Sequence, residues 1–429
     1  MSPDQKMRLS LNLRGIGFHA GAWRHPQSTP ERVYDIGYYT DIARIAERGK
    51  FDAVFLADSP NARTGSQPAI SWPLDPFAVL SGIATATERI GLIGTLSTSY
   101  SDPYDLARRV GALDLLSGGR AGVNLVTSAG DAIARNFGFA QHYEHADRYR
   151  RAEELCDVIL ALWAAAPHGV SIKGERFSVE GALNLPPSPQ GRPVIVQAGA
   201  SEDGRNFAGR AAEMVFAASS DIATGQALYR DLKQRTVQAG RRPQDIAIMP
   251  GVMPFIGSTE AEARRFYNEL EELIDDNGAS LGRLGAELGL DLSIYDPEGP
   301  IPVEDFPAPA DHKGGVTRLL RLKTWAVESG LNLRRFAQLV YRSLGVIHWE
   351  PVGTPEQIAD ELELWFRAGT ADGFNLLVPQ QTVQLSLFVD EVVPILQRRG
   401  LFRHDYETET FAGHLGLSRA KEEPLRRTG

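Results

Sequence analysis

The 429-residue sequence predicts an α/β protein, a (β/α)8 barrel with a long insertion between its seventh and eighth strands. Two patterns predict it. Eight short runs are near-continuously apolar, as parallel strands covered on both faces require. Helical segments separate them, and eight such units are more than an open doubly wound sheet usually holds.

The strand runs, in order, are Leu9–Leu13, Phe51–Ala57, Ile90–Thr95, Ala121–Val126, Val194–Ala198, Met214–Ala218, Ile246–Met249 and Phe374–Val378. Thr29 and Pro30 predict the cap and first turn of a helix that runs to Arg48 and stops at Gly49. Further helices are expected over Asp75–Thr87, Tyr104–Leu116 and Asp147–Trp163. Thr259 with Glu262, and Thr354 with Gln357, have capping-box spacing. The insertion, about 276–350, includes the Pro-rich stretch Pro297–Pro309. One barrel domain over 1–400 and a polar surface tail over 401–429 are the expected organisation.

A net charge of −9 argues against a nucleic-acid backbone as partner, since phosphate binding needs a basic face. The single cysteine, Cys156, permits neither an intramolecular disulfide nor a Cys-rich metal site. No apolar run spans a membrane, and the polar start lacks a signal-peptide core, so a cytoplasmic location is expected. His142 and His145 lack further ligands at metal-binding spacing, so no metal is expected. Dinucleotide, phosphate-loop and nucleophile-elbow motifs are absent.

A barrel carries its chemistry at the C-terminal strand ends. Polar residues collect there: Asp58, Thr95, Asn124, Thr127, Ser128 and Ser201. In Gln197–Arg205, small residues precede Ser201, which is placed to cap a helix whose N-terminus attracts anions. There Arg205 would add charge, with Glu202 and Asp203 turned away; an ordinary capped turn is the simpler account of the spacing alone. His145 and Tyr149, four apart, share one helix face. Arg14, Arg24 and Arg63 read as solvated surface charges, with a carboxylate partner as the alternative.

Several segments together resemble the nitrilotriacetate monooxygenase component A family of the bacterial luciferase-like flavin-dependent monooxygenases. They include His19–Pro26, Glu47–Asp58, Thr87–Tyr100, Leu113–Ser128, His145–Tyr149, Ser188–Ser201 and Val352–Asp360, and the match runs in order along nearly the whole chain. The resemblance implies a two-component enzyme. It would take FMNH2 from a separate NAD(P)H-dependent flavin reductase and use O2 to oxidise a small organic substrate. Oxidation next to sulfur or nitrogen, with C–S or C–N cleavage, is expected. Asp58, Thr95, His145, Tyr149 and Ser201 would contact FMN, with Asn124, Thr127, Ser128 and Ala200 beside flavin or substrate. His145 would also move a proton. A homodimer or homotetramer is expected, with a lid over Ser280–Val346 hinged at Gly282, Gly285, Gly289, Gly314 and Gly315. The alternatives are a deazaflavin-dependent dehydrogenase on the same barrel and a non-catalytic flavin-binding protein. Two departures stand on the substrate side. Ala129 occupies the place of a His found in some relatives, and the stretch from His145 to Ser201 is short.

Overall fold

The computed structural model describes residues 5–60, 74–274, 278–312, 316–342 and 348–417. Eight parallel strands close a barrel in the order β1-β8-β7-β6-β5-β4-β3-β2. They are β1 (Arg8–Asn12), β2 (Ala53–Leu56), β3 (Gly91–Ser97), β4 (Ala121–Val126), β5 (Val194–Gln197), β6 (Met214–Ala217), β7 (Ala247–Val252) and β8 (Gly373–Leu377). Each overlaps one predicted run. β7 continues past its expected end through Pro250 and Gly251, residues that read as a stop but stay paired to β6 and β8. The ring closes where Arg8 to Asn12 pair with Gly373 to Leu377. Only glycine fits at 373, because a Cβ there would lie 2.1 Å from the Arg8 carbonyl oxygen.

The outer helices are α1 (Ile36–Arg48), α2 (Pro76–Ala86), α3 (Pro103–Leu116), α4 (His145–Ala165), α5 (Glu202–Ala211), α6 (Ile222–Gln238), α7 (Pro355–Arg367) and α8 (Gln381–Leu387). None of the described helices is long and apolar enough to cross a membrane. The helix expected from Thr29 is broken. A 3-10 turn (Pro30–Tyr34) comes first, and Asp35 restarts the chain as α1 by accepting the Gly37 N–H at 2.8 Å. Thr354 and Gln357 form the reciprocal capping box. At Thr259 only half of it forms, because the Glu262 carboxylate bonds the Ser258 N–H instead, at 3.0 Å.

The insertion builds its own small core from Leu284, Leu288, Leu319, Leu322, Phe336 and Val340. Outside its two ends, Phe255–Ile256 pairs in parallel with Val352–Gly353, which brings the flanking segments together.

The tail is not a polar surface wrap over its described part. A short helix, Phe411–His414, plugs the N-terminal end of the barrel. Phe411, Ala412 and Leu415 are buried among Ala53, Ile93, Val194 and Met249. The inward positions Gly91 and Gly122 leave the room, since a Cβ on either would meet the Phe411 ring at 2.5 or 3.0 Å. The tail looks polar in sequence because its buried residues are confined to two short stretches, 401–402 and 411–415, separated by polar and charged ones. Phe411→Ala is expected to cost about 3–5 kcal/mol of stability, read as a lower urea midpoint with unchanged slope.

Candidate active site

Strand alternation decides which side chains enter the mouth. Leu9, Leu11 and Leu13 face the helical layer, so Ser10, Asn12 and Arg14 take the opposite side. Thr95 on β3 and Asn124 on β4 are register partners, and the Asn124 amide donates to the Thr95 hydroxyl at 3.1 Å. Phe55 on β2 and Phe216 on β6 meet edge to face at 5.8 Å and form an apolar wall.

Outside Thr95 lies a cleft of ≈ 290 Å³ lined by Asp58, Thr95, Ser97, Tyr100, Val126 and Phe137, among others. Burial pushes the Asp58 carboxyl above its ordinary range; the Ser59 N–H opposes the shift and Asp75 adds to it. Phe137 stacks on Tyr100 at 4.6 Å and leaves its other face partly in solvent.

A second group stands at the start of α5. Ser201 caps the helix by accepting the Gly204 N–H at 3.1 Å, and its hydroxyl donates to the Tyr149 hydroxyl at 3.1 Å. The backbone here is packed to its limit. A Cβ on Gly204 would sit 2.9 Å from both the Tyr149 hydroxyl and Gly199. His145 joins from α4, its ring 5.1 Å from that of Tyr149. Asp203 does not point away as expected: His145 Nε2 lies 3.2 Å from its carboxylate. Arg205 is paired instead with Asp231 of α6 at 2.9 Å, because α5 and α6 pack side by side.

Of the expected site residues, the structure therefore joins Thr95 with Asn124 beside Asp58, and His145 with Tyr149 and Ser201. Thr127 and Ser128 follow β4 half-exposed, the Ser128 carbonyl accepting from Ser99 at 3.2 Å, and Ala200 is exposed. His145 is exposed at the outer rim.

One buried histidine beside Phe216 is a residue the sequence did not single out. His348, at the end of the insertion, is buried and stacks on Phe216 at 5.4 Å and 13°. Gly251 admits it, since a Cβ there would lie 2.4 Å from the His348 Nδ1. Burial, then the positive charges of Arg321 and Arg14, push its pKa down to about 3. Arg14 is itself buried, not solvated, and packs over the Phe18 ring at 5.1 Å. Arg24 turns away, its guanidinium on the Leu273 carbonyl at 3.0 Å; Arg63 lies outside the described residues. The alternation of polar Ser10, Asn12 and Arg14 with three leucines was the signal for an inward row in β1. Nothing in the local sequence marks His348.

Several buried polar atoms here lack a protein partner: Asn12 Oδ1, Ser97 Oγ, Asn124 Oδ1 and His348 Nδ1. Such atoms cost roughly 1–3 kcal/mol each unless water or a ligand meets them. They fit a polar, planar guest lying across the strand ends.

The depressed His348 pKa fixes a sign. The folded ring stays neutral while the unfolded one protonates below its ordinary value of 6.5, so stability is lost as pH falls from 6.5 towards 3. At pH 5 the loss from this group is about 2 kcal/mol. His348→Phe keeps the stack, and its stability is expected to fall less between pH 7 and pH 5 than that of the wild type, measured by urea denaturation.

The profile of the luciferase-like monooxygenases matches residues 16–372. The nitrilotriacetate monooxygenase component A of Aminobacter aminovorans is 41% identical, covering 98% of each chain. The N-acetyl-S-(2-succino)cysteine monooxygenase of Bacillus subtilis (strain 168) is 38% identical over 99% of each. Among solved structures, the EDTA monooxygenase of Chelativorans sp. BNC1 superposes with a TM-score of 0.78 at 34% identity, over 96% of this chain and 99% of that one. The chain belongs to the luciferase-like monooxygenase family and is a flavin-dependent monooxygenase.

Proposed function

We propose that this chain is the oxygenating component of a two-component system that receives FMNH2 from a separate NAD(P)H-dependent flavin reductase. With O2 it oxidises a small organic substrate next to sulfur or nitrogen, with cleavage of the C–S or C–N bond. The observation that carries this is the meeting of Tyr149 and Ser201 at 3.1 Å over a glycine-lined helix start. Two segments 52 residues apart converge there on an anion-binding geometry. Membership of the luciferase-like monooxygenases supports reduced flavin as the anion-bearing group to be bound there.

FMN would lie with its phosphate on Ser201 and the N–H groups beside it, held on the outer side by Tyr149 and His145. Its ring would cross towards Asp58, Thr95 and Asn124, whose unpartnered Oδ1 can accept a ring N–H. Bound reduced FMN supplies the electrons that activate O2. The chain supplies position and dryness. Phe55 and Phe216 close the barrel side against water, and a neutral His348 leaves no acidic proton at the wall. His145, exposed and paired with Asp203, is suited to holding the phosphate end and poorly placed to move a proton at the ring.

The insertion remains the lid of this proposal. Of its hinge residues, Gly289 ends the helix Ala279–Leu288 with a φ of 71°. Gly314 and Gly315 lie outside the described residues. A homodimer or homotetramer completes the proposal.

Anaerobic titration with photoreduced FMN, followed by mixing with oxygenated buffer, tests the function. Saturable binding and a reoxidation rate unlike that of free FMN are expected; absence of binding overturns the proposal. Ser201→Ala and Tyr149→Phe are each expected to weaken FMNH2 binding by about 10-fold, the loss of one bond to a charged group. Gly204→Val should abolish binding.

A further inference from the structure

We infer that Arg148 is a positioning residue of the flavin site: its guanidinium fixes which ring nitrogen of His145 carries the proton and leaves an Nε2–H turned to the start of α5, an assignment that rests on the flavin reading above and deepens it.

The spacing comes first. His145, Arg148 and Tyr149 stand at the first, fourth and fifth positions of α4, so they share one face of the helix. Arg148 is the member of this set to which the flavin reading gives no task. It is only 8% exposed, and Glu144 acts on it through space, without a hydrogen bond. A buried cation is costly unless its donors are used. Nη1 donates to the Tyr143 carbonyl at 2.9 Å, and Nη2 lies 3.3 Å from His145 Nδ1. Nε is buried with no hydrogen-bond partner, so these two contacts hold the group.

The direction of the second contact follows from the chemistry of its partners. A guanidinium has N–H donors, no acceptor, and a proton it does not lose in proteins. His145 Nδ1 must therefore offer its lone pair, and in the neutral ring the proton resides on Nε2. The far edge of the ring agrees. Nε2 faces the Asp203 carboxylate at 3.2 Å, and an ionised carboxylate can only accept. A donor on one edge and an acceptor on the other specify the same tautomer and the same orientation. The group that bonds one imidazole nitrogen commonly decides the state of the other. A carbonyl at Nδ1 would leave Nε2 as an acceptor; a guanidinium there leaves it as a donor, which is what a phosphate oxygen needs. The ring is held 5.1 Å from that of Tyr149, whose hydroxyl meets Ser201, so the three side chains present their polar atoms to one helix start. His145 is exposed, and the Arg148 contact restrains its ring from the buried side.

The test has two readouts on the full chain. Histidine labelled with 15N is incorporated, and the ring nitrogens of His145 are assigned by their loss in His145→Gln. At about pH 8.5, above the ordinary imidazole value of about 6.5, Nε2 should resonate as a protonated nitrogen and Nδ1 as an unprotonated one. In Arg148→Met the two signals should move towards each other as both tautomers become populated; Arg148→Lys, which keeps a donor, should lie between. FMN affinity is then measured by quenching of flavin fluorescence in a double-mutant cycle. Arg148→Met should weaken FMN by about 3-fold to 10-fold when His145 is present, and by less than about 2-fold in the His145→Gln background. Riboflavin, which lacks the phosphate, should bind the wild type and Arg148→Met within about 2-fold of each other. A proton on Nδ1 in the wild type, unchanged nitrogen shifts in Arg148→Met, or an equal loss of FMN affinity with and without His145 would overturn this role for Arg148; the last is the mark of a merely structural residue. Should Arg148→Met fail to fold, Arg148→Lys takes its place in both readouts with the same outcomes deciding. Failure of the wild type to bind FMN would instead overturn the flavin reading, and the nitrogen shifts would still decide what Arg148 does to the ring.

Discussion

A closed barrel of eight strands has an axis that must be filled, and this chain fills it from both ends. Below, the tail sends Phe411 up between strands whose inward positions have been cut back to glycine. Above, the apolar filling gives way to Ser10, Asn12, Thr95, Asn124 and Asn375, polar side chains with little or no exposure. Ser10 bonds Asn375 at 2.9 Å and Asn124 bonds Thr95, which satisfies some of these groups and leaves others open. Burying that polar layer costs energy, and the sealed lower half supplies the packing that offsets it. The site exists because stability and polarity are assigned to opposite ends of one axis.

How much of this was legible follows from the range of each signal. The strands were, because burial on both faces leaves short apolar runs bounded by turn residues. The α1 restart at Asp35 was not, since Thr29–Pro30 offers an equally good local start and only packing selects the second. Thr95, Asn124, Tyr149 and Ser201 were singled out because family resemblance and rim position agree; in the structure Asn124 lies against Thr95 and Tyr149 against Ser201. His348 and Phe411 were missed for one reason. Each reaches the barrel from a segment outside the strand–helix alternation, and a single sequence carries no mark of so distant a contact.

The mouth has two electrical poles. On the β2 side, a half-buried Asp58 is held towards its protonated form. On the β1 and β7 side, burial, and after it two arginines, hold His348 neutral. Both shifts arise from desolvation first and from like charges second, so each ionisable group is biased to lose its charge. A guest that brings charge of the right sign reverses the second term at each pole without removing the first.

The pairing of β1 with β8 joins Arg8 to Gly373, across most of the chain. Folding cannot make that bond until nearly all the intervening units exist, and the entropy of so long a loop is spent before any contact returns it. Until then β1 offers an unpaired parallel edge, flanked by leucines on one face. Such an edge pairs readily with another chain. The same ladder that leaves the finished barrel without an edge thus makes its partly folded forms prone to association, and slow, dilute refolding should recover more native protein than rapid, concentrated refolding.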